Sequence, residues 1–549
     1  MDQGRSSLTS PGFLVVAGLV PLAFLAVFYF YPLAGIFVKS FFHDRAFHFG
    51  FIHDFFGSAR IASIIWFTIW QAALSTVLTL VLALPCAHVM ARYDFFGKRM
   101  LMTVATIPFV LPTVVVAAAF RAVGGANGFV PLQLFEHPLF LILLAHVFYN
   151  FSVVLRIVSA HMSYIRNEIS EAAHMLGASG LKTFFRVTLP MLKPSILASC
   201  LLVFIFCFSS FGVILILGGP GYSTIEVEIY RQAVHIFNLP AASLLSIVQI
   251  LMTLAVMYGY TVFQKKTIRY APESESLALR RPRTAGERWM AAGTVLVVLV
   301  LCFLPLAALA ARSFVYKGEV SLVFYRALFE NVSGSLFYIP PIKAALNSFF
   351  FSVATLFMAV AVGLCAAIFI NGTRGRTAAL IDPVFMLPLS TSAATLGFGI
   401  IITLDTPPLD LRSSPFIVPV AHTLVAFPFV VRAVLPALRT IPDNLKASAA
   451  LMGASAFRVF RYVELPVIAR ALTAGALFAF CISVGEFGAT VFTARPEYAT
   501  LPMAIYRFFG QPGALNYGQA MAVSTILMAV TAAGFIVIEN VRSVRGEGF

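Results

Sequence analysis

Stretches of twenty or more predominantly apolar residues recur twelve times along this 549-residue chain, at roughly 12–38, 61–90, 99–121, 138–160, 194–217, 241–263, 288–311, 344–370, 379–404, 415–437, 471–493 and 518–540. About 20 such residues, wound as a helix, cross the roughly 30 Å hydrocarbon core of a bilayer. A helix also satisfies its own backbone polar groups, which lipid cannot do. Composition agrees: 60% of the residues are hydrophobic and only 11% are charged, against roughly 25% charged in an average soluble domain. Too few charges are present to cover a water-soluble fold of this size. The expected fold class is therefore all-α, integral to the membrane, with about twelve spans and a multi-pass topology. The third and ninth stretches hold Pro108 and Pro112, and Pro383 and Pro388, which membrane helices tolerate where neighbours satisfy the freed carbonyls.

The net charge of +15 would suggest nucleic acid on a soluble protein. Here the basic residues fall in alternate loops: Arg92, Lys98 and Arg99; Arg166, Lys182, Arg186 and Lys193; Lys265 to Arg288; Arg374 and Arg376; Arg439 to Arg470; and Arg542 and Arg545 at the end. With twelve spans these lie on one side, which the positive-inside rule makes cytoplasmic, together with both termini. No basic run interleaves with aromatics as nucleic-acid grooves require, so no nucleic-acid partner is expected. The apolar run from about Phe13 is too long for a signal-peptide core and reads as a retained first helix. The six cysteines all lie in apolar runs without a CxxC pair, and read as small buried hydrophobes rather than metal ligands or a disulfide framework. The polar stretch 265–287 divides the chain near its middle and reads as a cytoplasmic linker.

The two halves repeat. A shift of 276 residues carries Ala145-His146 onto Ala421-His422, Phe151 and Arg156 onto Phe427 and Arg432, and Gly177-Ala178-Ser179 onto Gly453-Ala454-Ser455. It also carries Leu189-Pro190 onto Leu465-Pro466, Phe211-Gly212 onto Phe487-Gly488, Thr224 onto Thr500, and Ile229-Tyr230-Arg231 onto Ile505-Tyr506-Arg507. One register explains all of these, and Gly, Pro, His and Arg do not coincide by apolar composition alone. The chain divides into a first lobe at 1–264, the linker at 265–287 and a second lobe at 288–549. An even number of spans per repeat keeps both lobes in the same orientation, and a path between such repeats is expected at their interface.

The most distinctive repeated element lies between the fourth and fifth span of each lobe, within 161–193 and 438–470. It reads EAAHMLGASGLKTFFRVTLP from Glu171 and ASAALMGASAFRVFRYVELP from Ala447. Small residues open each copy and leave a shallow surface for another protein. The glycine can end that helix with φ > 0, a second amphipathic segment follows, and Leu-Pro is expected to break it before the next span. Such a hairpin, standing off the membrane once per lobe, suits a partner with two equivalent sites, though it could also merely join two spans.

This pattern closely resembles the EAA loop, EAA-x3-G-x9-I-x-LP, of bacterial ATP-binding-cassette (ABC) importer permeases. Val187 and Val463 replace the family's Ile, and Ala447 replaces its Glu. The resemblance implies a type I permease fold and a homodimeric ABC ATPase docked on the cytoplasmic side. Glu171, Ala172, Ala173, Gly177, Leu189 and Pro190 would contact it in the first lobe, and Ala447, Gly453, Leu465 and Pro466 in the second. It also implies an extracytoplasmic substrate-binding protein and a bacterial cytoplasmic (inner) membrane. The stretches LLAHVFYN, FCFSSFGVILILGGPGYSTIEVEIYR and SVGEFGATVF are similar to the fused thiamine-importer permeases, with the fused ferric-iron permeases as the alternative. Thiamine is the implied cargo, with ferric iron or another small solute as rivals.

No GxxxxGK[ST], GxSxG or HExxH occurs, so the chain reads as a transport subunit that binds no cofactor and holds no metal. ATP and Mg²⁺ belong to the ATPase partner. Intramembrane ionisable groups are candidate functional sites, and Glu486 in the eleventh stretch stands out as the one such carboxylate. It either faces the path and favours a cationic cargo, or hydrogen-bonds to a neighbouring helix. Phe487 and Phe211 could line the path and offer cation–π contact; Ser210 is the repeat position of Glu486. His146 and His422 could bind a metal or a proton, or hydrogen-bond across helices. An ion-coupled secondary transporter would also fit two parallel repeats, but would need no docking hairpins. A polytopic membrane enzyme would need clustered polar groups at one face, which the sequence lacks.

Overall fold

The computed structural model describes residues 11–43, 46–47, 49–125, 128–130, 133–165, 167–269, 279–330, 340–373, 376–405 and 409–543. The middle of the expected linker, 270–278, lies outside them. In chain order the membrane-length elements are α1 (Leu14–Phe41), α2 (Ala59–Arg92), a bent pair α3 (Lys98–Val110) and α4 (Thr113–Val123), α5 (Pro138–Ser163), α6 (Phe184–Phe208), α7 (Leu239–Val262), α8 (Ala285–Arg312), α9 (Pro341–Gly372), a second bent pair α10 (Ile381–Ser390) and α11 (Ala393–Thr403), α12 (Ile417–Arg439), α13 (Phe457–Gly485) and α14 (Ala514–Asn540). Ten are long and apolar enough to cross a bilayer, and the described residues hold twelve spans if each bent pair counts as one. The chain is therefore an all-α membrane protein with two repeated lobes.

Three local expectations need correction. The third and ninth stretches are not single helices but turn by 108° and 94° at their breaks. In the first, Pro112 stands at the break and starts the next segment, because its ring cannot continue the preceding helix. In the second, the Ser392 hydroxyl accepts from the Thr395 backbone N–H (3.4 Å) and starts a new helix. Nor do Leu189-Pro190 and Leu465-Pro466 break the chain. Phe184–Thr188 and Phe460–Glu464 each form one π-helical turn that runs directly into the next α-helix. The wider turn absorbs the missing proline N–H without ending the helix. Lastly, the fifth and eleventh spans start earlier and end sooner than expected, at Phe208 and Gly485. Ser210, Phe211, Glu486 and Phe487 thus lie just past helix ends rather than inside them.

Packing gathers the described residues into two compact units. Among the described residues, one falls within 54–228 with 248–321 and the other within 11–53, 229–247 and 322–543. In the first, α2 packs along α5 with α6 against both, and α8 lies on α2 and α4. In the second, α9, α12 and α13 pack together in the equivalent way, and α1 lies on α9 and α11. The leading helix of each repeat is thus exchanged onto the helices of the other, so packing units and sequence lobes do not coincide. Each leading helix is followed by a two-stranded antiparallel hairpin, Phe42–His43 with Ala46–Phe47 and Val315–Tyr316 with Glu319–Val320. The α1–α9 contact is close enough that a Cβ at Gly18 would meet the Phe369 ring at 2.6 Å, the small-residue approach typical of helices in lipid.

Candidate docking loops and translocation site

Both loops turn in the same way at their shared Gly-Ala-Ser. A first limb, Asn167–Met175 or Asp443–Leu451, ends at a glycine with φ +79° (Gly177) or +81° (Gly453). Around Gly177, its own N–H donates to His174 O (2.9 Å) and the Ala178 N–H donates to Ala173 O (3.0 Å). Gly453 and Ala454 repeat this with Ala450 O (3.0 Å) and Ala449 O (3.1 Å). That pair of hydrogen bonds is the Schellman arrangement, which needs a left-handed residue and so favours Gly. Two residues later a serine starts the second limb: the Lys182 N–H reaches Ser179 Oγ and the Arg458 N–H reaches Ser455 Oγ, both at 3.4 Å. The repeated Gly-Ala-Ser is thus a stop signal and a start signal joined by one residue.

These turns expose apolar side chains that the sequence reading overlooked. Met175 and Leu176 are each 89% exposed, as are Leu451 and Met452 at the equivalent positions. Phe185, Phe457 and Tyr462 are also exposed. The available signal was a pair of large apolar residues directly before the helix-ending glycine of an otherwise polar loop. Of the expected docking residues, Glu171, Ala172, Gly177, Pro190, Gly453 and Pro466 are exposed, whereas Ala173, Leu189, Ala447 and Leu465 are half-buried.

Glu486 is buried immediately past the end of α13. Its carboxylate accepts from the backbone N–H groups of Ala489 and Thr490 (3.0 Å each) and from the Thr490 hydroxyl (2.9 Å). It therefore caps the short helix Thr490–Thr493, as carboxylates do at helix starts. His422, on α12, sits 2.8 Å from Thr490 Oγ1, 2.7 Å from Ser483 Oγ and 3.5 Å from Glu486 Oε2. Ser483 continues to Thr355 on α9 at 3.1 Å. Both nitrogens of His422 are thus engaged in side-chain hydrogen bonds.

The repeat position in the first lobe differs. His146, on α5, places Nδ1 3.1 Å from Ser75 Oγ on α2, while its Nε2 is buried with no hydrogen-bond partner among the described residues. Ser210 and Ile214 stand where the second lobe has Glu486 and Thr490, so the acceptor that engages His422 is missing. Asn150 and Gln71 join this cluster, donating to Cys207 Sγ (3.3 Å) and Cys207 O (3.0 Å) respectively. Ser210 and Phe211 are buried nearby in sequence, past the end of α6. Phe487 meets Tyr506 at 5.5 Å with the rings tilted by 55°, and Tyr506 meets its repeat equivalent Tyr230 edge-on at 6.4 Å. Phe492 completes this aromatic group against Tyr230 at 5.6 Å.

Glu486 is also not the lone carboxylate inside the protein. Glu226 and Glu228 are fully buried in the short helix Ile225–Tyr230. Gln249 Nε2 donates to Glu226 Oε1 at 3.0 Å, and Arg60 lies 3.9 Å from Glu228. Among the described residues no group of three or more His, Cys, Asp or Glu side chains could hold a metal ion.

The comparison that decides identity covers both repeats. The family of binding-protein-dependent transport system inner membrane components matches residues 79–269 and again 342–543. The chain belongs to this family. That family makes it an ABC-importer permease, a non-catalytic transport subunit. The thiamine transport system permease protein ThiP of Brucella abortus is 27% identical to the permease over 561 residues, covering 99% of this chain and 98% of the relative. Its counterpart from Escherichia coli K12 is 25% identical over 493 residues, covering 87% and 88% respectively. A crystal structure of a bacterial ABC transporter involved in the import of the acidic polysaccharide alginate aligns with a TM-score of 0.40 at 18% identity, covering 47% of this chain and 96% of that one.

Proposed function

We propose that this permease forms the translocation path of a thiamine importer, driven by a homodimeric ATPase that docks on the loops 161–193 and 438–470. The observation that carries the docking is the duplicated turn with Met175-Leu176 and Leu451-Met452 almost fully exposed. Large apolar side chains at such exposure are costly on a free surface and mark a partner site when they recur at equivalent positions. Thiamine is favoured because relatives that span nearly the whole chain carry that name. A binding protein delivers the cargo on the opposite face, and both termini lie in the cytoplasm with the basic loops. ATP and Mg²⁺ act in the ATPase; their closure rocks the two repeats between inward- and outward-open forms around a path near the midplane. Phe487, Tyr230 and Tyr506, grouped in one unit, supply the ring faces that a thiazolium cation prefers. Glu486 caps the backbone that follows Phe487, and His422 meets the hydroxyl of the same Thr490.

The test is reconstitution of the permease with its ATPase and binding protein in liposomes. ATP hydrolysis and uptake should rise at least tenfold with thiamine-loaded binding protein. Stimulation by Fe³⁺ and not by thiamine would replace the cargo. Uptake that follows an ion gradient without any ATPase would sink the importer reading for this chain.

A further inference from the structure

The second docking loop contains a buried ion pair whose equivalent positions in the first are uncharged. Lys446 Nζ lies 3.2 Å from Glu464 Oε1, and the two side chains are 6% and 1% exposed. Asp443, one turn before Lys446 and 76% exposed, is 3.9 Å from the same nitrogen. The other oxygen of Glu464 is buried without a hydrogen-bond partner among the described residues, so Lys446 is the cation that compensates it. The pair joins the two limbs of the loop: Lys446 precedes Gly453 on the first limb, and Glu464 ends the π turn of the second. The repeat positions, Ser170 and Thr188, carry no charge. In the first loop the acid is instead Glu171, turned outward and exposed, where the second loop has Ala447.

Burying Lys and Glu together contributes little net stability, since desolvation offsets their attraction. What such a pair does fix is geometry, because each charge tolerates only a position near the other. We propose that Lys446 and Glu464 are positioning residues that set the angle between the limbs of the second docking loop. They thereby hold Leu451 and Met452 in the orientation the ATPase subunit requires. This rests on the docking reading above. The two loops would then work by different means, one offering an outward carboxylate and the other an internally pinned apolar tip.

The experiment uses the complete complex in liposomes and measures thiamine taken up per ATP hydrolysed. K446M alone leaves a buried unpaired carboxylate and can fail to accumulate, so the decisive variant is K446M/E464M, which replaces both charges by apolar groups of similar length. The expected result is a ratio at least fivefold lower, with the ATPase still co-purifying, and recovery to within twofold of wild type in the reversed pair K446E/E464K. A ratio unchanged in K446M/E464M, or lowered equally in the reversed pair, would overturn the proposal. A pair that served stability alone would shift the melting temperature and leave the ratio where it was. Aspartate substitutions at Met175, Leu176, Leu451 and Met452 run in parallel. If they leave the ATPase bound, the docking reading fails; if they release it while K446M/E464M stays fully coupled, only the pinned loop fails.

Discussion

Complexes carrying aspartate at Met175, Leu176, Leu451 and Met452 are expected to lose their ATPase on purification and all ATP-driven uptake, while the permease still accumulates in the membrane. These four side chains touch little of their own chain, each being 89% exposed, so replacing them should leave folding nearly unchanged. Anchors buried at the centre of an interface cost about 2–4 kcal/mol each when removed. At 1.4 kcal/mol per factor of ten, even one disabled loop weakens docking by about 30-fold or more. The check is pull-down of the ATPase from detergent extract, with fluorescence-detected size exclusion to establish that the permease is intact. Retention of stoichiometric ATPase by the fourfold variant would mean that the exposed tips are not the contact. Altering each loop separately separates the lobes: the loop 161–193 retains the exposed Glu171 carboxylate, which Ala447 replaces in the loop 438–470, so L451D/M452D should be the more damaging pair.

Glu486→Ala is expected to destabilise the permease itself. The carboxylate accepts two backbone N–H groups and one hydroxyl in a buried site, and each buried polar group left unsatisfied costs about 1–3 kcal/mol. A total on the order of 3–5 kcal/mol follows, allowing for some relaxation. For a unit of this size that corresponds to a fall of about 10 °C in melting temperature. Glu486→Gln keeps one acceptor oxygen and a similar volume, and should lie between wild type and Ala in stability. Thermal unfolding in detergent and thiamine uptake, measured on the same preparations, separate the two roles considered for this residue. Uptake by E486Q that tracks its stability marks a cap for the backbone carrying Phe487. A stable E486Q with uptake reduced tenfold or more would instead place the charge on the cargo's route. His422→Ala removes the second contact of Thr490 and should lower stability by a smaller amount, through the same network.

Much of this architecture is written in local patterns. Apolar runs of bilayer length give the helices, and the 276-residue register pairs His146 with His422 and Gly177 with Gly453. Gly-Ala-Ser marks the turn of each loop because a left-handed stop and a serine start are properties of three neighbouring residues. The prolines were harder to read. Pro190 and Pro466 look like helix breakers, yet a π turn carries the helix through each. Pro112 does stand at a true break, within a pair bent by 108°. Whether a proline bends, breaks or is absorbed depends on which neighbouring helices take up the freed carbonyl, and that is not encoded locally. Glu226 and Glu228 were overlooked for the same reason. The short IEVEIY segment lies outside the apolar stretches of bilayer length, and only packing buries its two acids.

The sequence by itself therefore determined that the chain lies in lipid, that it is duplicated, and that each copy carries the same glycine-stopped turn. These follow from hydrophobic length, repeat register and turn chemistry, all of which act over a few residues or by direct comparison of two stretches. The tertiary structure alone decided that α1 and α8 are exchanged onto the helices of the opposite repeats, that Glu486 caps a helix, and that Lys446 finds Glu464 inside one loop and not the other. Each depends on which distant groups meet after packing, and in a low-dielectric interior that meeting sets whether a charge is spent on structure or left available to a ligand.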